Sequence, residues 1–242
     1  MLNILSKIII RKVRRDYDAI ADNFSETRQA PWESWKLFKK YFGKQKDILD
    51  IGCGNGRAAE FFEYKSYTGI DISKNLIEIA KKEHSKNKNS KNIHFKIGNF
   101  TSIPSSSKFD TIISIAVLHH LPSNKLRSQA IKEVSKTLKK DGIFIFSVWN
   151  LLYNSKYTAP RKKALLLSIF TFGLMHPRDL FIPWKKGLNK RNRYYYAFKE
   201  KEVTALLSNQ NFEIIDVIHE KNGKKVPEKD SLNIYFVCKK MI

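Results

Sequence analysis

The chain has 242 residues, with 45 Lys plus Arg against 23 Asp plus Glu, a formal net charge of +22, and 42% hydrophobic and 12% aromatic residues. A chain of this length buries a sizeable core without disulfides or metals, and the aromatic content argues against wholesale disorder, so collagenous, coiled-coil and mini-protein architectures drop out. The two cysteines, Cys53 and Cys238, stand far apart with no Cys-x-x-Cys pair, so neither a disulfide framework nor a zinc cage is encoded, no metal site is expected, and a reducing, cytoplasmic setting fits.

The chain reads as one domain over residues 1–242, with an N-terminal arm and helices over 1–46 and an aromatic, basic insertion over 150–197. In the arm, Ile8, Ile9 and Ile10 precede Arg11, Lys12, Arg14 and Arg15. That charge order is wrong for a secretory signal and suits a basic helix. Seven β-rich runs follow at Asp47 to Ile51, Tyr67 to Asp71, Ile93 to Ile97, Phe109 to Ile115, Gly142 to Val148, Phe212 to His219 and Ser231 to Cys238. Helical patterns separate them, the signature of βα units and a mostly parallel sheet. Arg57 to Phe62 reads as a helix, Leu126, Ala130, Val134 and Leu138 line one helix face, Val203, Leu206 and Leu207 line another, and Ser73 and Ser123 suit N-caps. The segment between the last two strands is too short for a crossover helix, so they are expected to pair antiparallel at one edge of the sheet. Lys86 to Asn92 is a low-complexity Lys/Asn stretch, and the apolar run Ala164 to Leu174 spans 11 residues, short of the roughly 20 that cross a bilayer. No stable membrane insertion is expected.

The strand Ile48-Leu49-Asp50-Ile51 runs into Gly52-Cys53-Gly54-Asn55-Gly56. Glycines at alternate positions let the backbone turn tightly and approach a ligand at the carboxyl end of the strand. A dinucleotide fingerprint would need glycine where Arg57 stands, so the loop suits a smaller nucleoside. Asp71, ending the second strand, is placed to accept both hydrogen bonds of a ribose diol. Asn99, in Gly98-Asn99-Phe100, stands at the end of the third strand.

These features resemble the class I S-adenosylmethionine-dependent methyltransferases. The resemblance implies a Rossmann-like α/β fold, a seven-stranded, mostly parallel sheet with an antiparallel last strand, and S-adenosylmethionine as cofactor. It implies a cofactor pocket formed by Asp50, Gly52, Cys53, Gly54, Asn55, Gly56, Asp71, Ile72, Asn99, Phe100 and Ala116, with Asp71 on the ribose hydroxyls.

Three further stretches narrow the likeness: Tyr17-Asp18-Ala19-Ile20-Ala21 with Phe24 to Arg28 and Pro31-Trp32; Ser114 to His120; and Asp179 to Lys185 with Arg193-Tyr194-Tyr195 and Phe198. They resemble the tRNA wobble-uridine carboxymethyl methyltransferases, which esterify 5-carboxymethyluridine in anticodons. One departure is Tyr196-Ala197, where that family usually has a histidine. The resemblance implies a tRNA anticodon stem-loop as substrate and, as in eukaryotic members, a small zinc-binding activator protein that pairs along a sheet edge.

The chemistry agrees with such an acceptor. A carboxylate with a pKa of about 4 is already ionised in neutral solution, so its methylation needs no general base. Catalysis then rests on placing the oxygen in line with the methyl group. Arg28 and Arg193 are the candidates for gripping the carboxylate through paired hydrogen bonds, and His119 for a contact at the cleft. Trp32, Trp184, Tyr194 and Tyr195 offer faces on which unpaired bases stack, with His120 or His119 shaping the uridine pocket, because adjacent residues of an extended stretch point opposite ways. Lys and Arg of the arm and the insertion would track phosphates, since a strongly positive chain favours polyanions. The readings set against this one are a methyltransferase of the same fold acting on a small-molecule or lipid-like acceptor, and a non-catalytic RNA-binding module.

Overall fold

The computed structural model describes residues 4–43, 46–85, 90–103, 108–187 and 190–241; Lys86 to Asn89 of the Lys/Asn stretch lie outside them. Its centre is one sheet of β1 (Asp47–Ile51), β2 (Ser66–Asp71), β3 (Ile93–Ile97), β4 (Phe109–Ile115), β5 (Leu138–Trp149), β8 (Phe212–Lys221), the two-residue β9 (Lys224–Lys225) and β10 (Asn233–Lys240). The spatial order is β3-β2-β1-β4-β5-β10-β8-β9. Strands β1 to β5 pair parallel, and β10 pairs antiparallel with both β5 and β8.

The antiparallel strand therefore lies inside the sheet and not at its edge, as side-chain composition explains. The run from Ile234 to Cys238 is buried on both faces, whereas β8 alternates buried and exposed positions. A strand apolar on both sides gains most between two neighbours, and Phe236 stacks on Phe146 with ring centroids 5.1 Å apart.

Alternation along the central strands divides the interior into two cores. Leu49, Ile112, Phe144, Phe146 and Phe236 pack with Ile9 and Val13 of α1 (Ile4–Glu26), Val134 of α3 (Asn124–Thr137) and Val203 of α5 (Glu200–Ser208). Ile48, Ile113, Ile145, Tyr235 and Val237 face the other way, against Ile77 and Ala80 of α2 (Lys74–His84) and against Trp35 and Phe38. Ser73 and Ser123 cap α2 and α3, accepting from the amides of Leu76 and Leu126. The helix expected over Arg57 to Phe62 is a single 3-10 turn, Arg57–Glu60. Aromatic stacking takes over beyond it: the Phe62 ring centroid lies 3.9 Å from that of Phe42, with the rings nearly parallel, and 5.6 Å from that of Trp35.

The insertion contributes α4 (Thr158–Phe170) and a separate antiparallel pair, β6 (Asp179–Trp184) and β7 (Arg191–Tyr196). Helix α4 buries Ala164 and turns Leu165, Leu166, Ile169 and Phe170 outward, followed by exposed Phe172 and Leu174. Among the described residues no helix is long and apolar enough to cross a membrane.

Candidate active site

Strand order reverses direction beside β1, with β2 on one side and β4 on the other. Open α/β sheets hold ligands at such a switch point, at the carboxyl ends of the strands. A cleft of about 1200 Å³, solvent at its mouth included, lies there; α1 contributes Tyr17 and Phe24 to its wall and β7 contributes Arg193 and Tyr195.

One end of the cleft is acidic. Gly52 adopts a left-handed φ of 76°, and a Cβ on it would stand 2.3 Å from Val117 Cγ2, so only glycine lets the loop pass. The Gly54 amide donates to Asp71 Oδ2 at 3.0 Å and the Ser73 amide to Oδ1 at 2.8 Å, which fixes the carboxylate against the loop. Burial outweighs those bonds and lifts the Asp71 pKa to about 6. Burial likewise lifts Asp50 to about 7, against the short hydrogen bond donated by Tyr67, and the Asp71 charge adds to the rise. One buried and one half-buried carboxylate on a cleft floor suit a positively charged ligand. A nucleoside carrying a sulfonium and an ammonium group matches these two carboxylates in charge. Cys53, Asn55, Ile72, Asn99, Phe100 and Ala116 also line the cleft. The Asn99 Oδ1 accepts from the amide and hydroxyl of Thr101, which leaves its NH2 for a ligand. Ala116 holds an unusual φ of 60° and its amide donates to Ser147, turning the chain sharply at the end of β4.

The other end is cationic and aromatic. Arg28 lies over the rings of Phe24 and Trp184, at 4.1 and 5.2 Å, and Arg193 over Trp184 and Tyr195, at 4.7 and 5.3 Å. Among the described residues neither makes a salt bridge. Burial lowers the Arg28 pKa and the charge of Arg193 pushes the same way. Asn55 ties Arg28 to the glycine loop by donating to its carbonyl at 3.3 Å and to the Ser25 hydroxyl at 3.0 Å.

Arg193 Nε, His119 Nε2 and the Tyr195 hydroxyl are buried without a partner in hydrogen-bond geometry, although the Ala116 carbonyl lies near the His119 ring and the Tyr17 hydroxyl near that of Tyr195. The Trp149 amide donates to His119 Nδ1 at 3.2 Å. Burial pushes the His119 pKa well below the usual value, with His120 adding, so the ring is neutral and its one proton sits on Nε2. All three orphans can therefore donate, and they suit an acceptor-only group such as a carboxylate.

Four expected site residues need correction. Tyr194 does not face the cleft: alternation along β7 turns Arg193 and Tyr195 inward to it and Tyr194 into the core, where its hydroxyl donates to Asp179 at 2.6 Å. Trp184 sits behind the wall, its Nε1 donating to Asn23 at 3.1 Å, and holds the two guanidiniums by its faces. His120 lines the cleft, as His119 does, but both of its ring nitrogens meet protein atoms, Tyr17 and the Tyr194 carbonyl, and none is left for a base. Both histidines reach the cleft because they lie in a 3-10 turn, Leu118–His120, and not in an extended stretch. Gly56 closes the loop with φ 81° and faces Phe95 and His84, outside the cleft lining. Trp32 lies on the wall beside Arg57, whose guanidinium is 4.5 Å from its ring, apart from the Arg193 cluster. Sequence reasoning gave no role to Tyr17, Phe24 or Trp149. Trp149, at the carboxyl end of β5, stacks on Tyr195 at 4.8 Å, and its strand-end position is the signal that could have found it.

Residues 42–175 match the family described as "Methyltransferase domain". A tRNA (carboxymethyluridine(34)-5-O)-methyltransferase from Arabidopsis thaliana is 36% identical over 138 residues, 57% of this chain and 32% of that protein. A protein of the same name from Schizosaccharomyces pombe is 28% identical over 84% of this chain and 90% of its own. The chain thus spans about a third of the plant relative and nearly all of the yeast one. In fold it is similar to a SAM-dependent methyltransferase from Methanosarcina mazei, with a TM-score of 0.70, 23% identity and coverage of 85% of this chain and 97% of that one.

Proposed function

Because this chain belongs to the methyltransferase domain family, with S-adenosylmethionine as its cofactor, we propose that it methylates the carboxylate of 5-carboxymethyluridine at the wobble position of tRNA. The single observation that carries this reading is the polarity of the cleft. Asp50 and Asp71 form its acidic end, while Arg28, Arg193 and three orphan donors form the other. A cationic donor and an anionic acceptor are thereby drawn to opposite ends of one pocket. The names of the plant and yeast relatives support the choice of acceptor.

When bound, S-adenosylmethionine supplies an electrophilic methyl on a sulfonium. Asp71 accepts from the ribose hydroxyls, and the loop at Gly52 and Gly54 admits the ligand to backbone contact. Arg193, with Arg28 beside it, holds the carboxylate by charge-assisted hydrogen bonds. His119 Nε2–H and the Tyr195 hydroxyl give it further donors. The acceptor is already ionised, so no residue needs to remove a proton, and the work of the site is alignment and exclusion of water. Tyr195, stacked on Trp149, offers the face for the extruded base.

Exposed basic residues on α1, including Arg11, Arg14 and Arg15, and on the insertion, including Lys185 and Lys186, would contact anticodon-stem phosphates. A small activator protein of the kind found with eukaryotic relatives would pair along β3, one of the two edges of the sheet, where Ile97 is exposed. The test is mass spectrometry of nucleosides from carboxymethyl-uridine tRNA incubated with enzyme and cofactor. The methyl ester is expected; its absence, with cofactor shown to raise the melting temperature, refutes the acceptor.

A further inference from the structure

Beneath Arg193 runs a short line of polar atoms whose direction follows from their chemistry. His120 is buried; its Nδ1 lies 2.7 Å from the Tyr194 carbonyl and its Nε2 lies 2.9 Å from the Tyr17 hydroxyl. A carbonyl oxygen only accepts, so Nδ1 carries the proton. Burial pushes the His120 pKa down to about 3, the ring stays neutral, and Nε2 keeps a lone pair. The Tyr17 O–H therefore donates to Nε2. With that proton committed, the Tyr17 oxygen turns only lone pairs towards Arg193 Nη1, 3.4 Å away.

The three participants come from separate stretches of chain: α1, the turn after β4, and β7. The aromatic faces of Trp184 and Tyr195 restrain the plane of the guanidinium. They do not fix its rotation within that plane, because stacking carries no such directionality. A hydrogen bond from Nη1 to an oxygen does.

We propose that Tyr17 and His120 are positioning residues for Arg193: the imidazole sets the direction of the Tyr17 hydroxyl, and the hydroxyl holds Nη1 so that the Nε edge is presented to the acceptor. The inference rests on the reading that Arg193 grips the acceptor's carboxylate. Neither Tyr17 nor His120 needs to touch substrate. An apolar residue at position 17 would leave the guanidinium free to swivel and the carboxylate off line, so turnover falls while the cofactor end, built chiefly on β1, β2 and the loops after them and untouched by the bond between the Tyr17 and His120 side chains, is undisturbed.

The test is a double-mutant cycle on carboxymethyl-uridine tRNA with Tyr17→Phe, Arg193→Met and the pair, reading single-turnover rate, cofactor affinity and melting temperature for each. Tyr17→Phe is expected to slow methyl transfer about tenfold in the wild-type background and less than about twofold once Arg193 is Met, because contacting residues couple. Its effect on melting temperature is expected to be the same in both backgrounds, and cofactor affinity to hold throughout. His120→Asn keeps a donor for the Tyr194 carbonyl and removes the acceptor for Tyr17, so it is expected to reproduce the Tyr17→Phe rate loss. Rate losses that multiply in the double variant, a wild-type rate for Tyr17→Phe, or a parallel fall in cofactor affinity would overturn the positioning role. Failure of the wild-type enzyme to form the ester would instead overturn the acceptor assignment, so the two failures are distinguishable.

Discussion

Replacing Asp71 by Asn separates the two duties of that side chain. Both carboxylate oxygens accept a backbone amide, Oδ2 from Gly54 and Oδ1 from Ser73. A carboxamide has one oxygen, so one buried amide loses its partner or faces an NH2, which costs about 1–3 kcal/mol of stability. Against this stands the charge. A pKa raised from 3.8 to about 6 means that the folded state disfavours the ionised form by about 3 kcal/mol. The sign follows: a carboxyl whose folded pKa lies above its unfolded value lowers stability once both forms are ionised, and that cost fades as pH falls through the folded pKa. Asp71→Asn is therefore expected to match or exceed the wild-type melting temperature at about pH 8 and to fall below it at about pH 5. Cofactor binding moves the other way. Two hydrogen bonds from a ribose diol to a charged acceptor are lost or weakened, for at least about 3 kcal/mol, or more than about 100-fold in Kd. Calorimetric titration with S-adenosylmethionine across the same pH range gives the readout. Wild-type affinity weakens as pH falls below the Asp71 pKa of about 6, whereas the variant keeps only the shallower pH dependence that Asp50, lifted to about 7, contributes. A variant that binds cofactor within about fivefold of wild type, or a wild-type Kd unchanged from about pH 8 to 5, refutes the assignment of Asp71 to the ribose.

Arg193→Gln is expected to lower kcat/KM on tRNA by about 100-fold, the worth of about 3 kcal/mol of charge-assisted hydrogen bonding, with cofactor Kd unchanged in the same titration. Gly52→Ala is expected to melt well below Gly54→Ala, since a Cβ at Gly52 meets Val117 at 2.3 Å while one at Gly54 stands 3.4 Å from Phe24; adding Val117→Ala recovers part of the loss in a thermal melt. Tyr194→Phe removes the bond to buried Asp179 and is expected to cost about 1–3 kcal/mol in denaturant unfolding while leaving turnover intact. In steady-state kinetics the KM for tRNA is expected to rise steeply with salt and the KM for cofactor to stay level.

The cofactor end was legible because its constraints are local. A strand, alternating glycines and an acid at the next strand end lie close in sequence, and parallel pairing of β1 with β2 brings Asp71 beside Gly52 and Gly54. The acceptor end was legible only in part. Arg28 and Arg193 were singled out by the family likeness, but which aromatic meets the cleft depends on the phase of β7. That phase, which puts Tyr195 in and Tyr194 out, follows from pairing with β6 and packing on α1. The Trp149–Tyr195 stack and the Tyr17–His120 bond join residues far apart in the chain. No local spacing encodes such contacts. The interior position of β10 was hidden for a similar reason, since a hairpin's chain order does not say which strand returns to β5.

The outward side of α4 has a consequence for how the chain behaves in solution. Leu165, Leu166, Ile169, Phe170, Phe172 and Leu174 are all more than half exposed, Phe172 at 98%. On a body of charge +22, neighbouring molecules meet long-range repulsion before these greasy side chains touch. Added electrolyte shortens that repulsion to about 3 Å at 1 M. Purity is then no guarantee of a monodisperse sample: dilute salt is expected to keep the molecules apart, and concentrated salt to favour clustering through this helix and the turn after it.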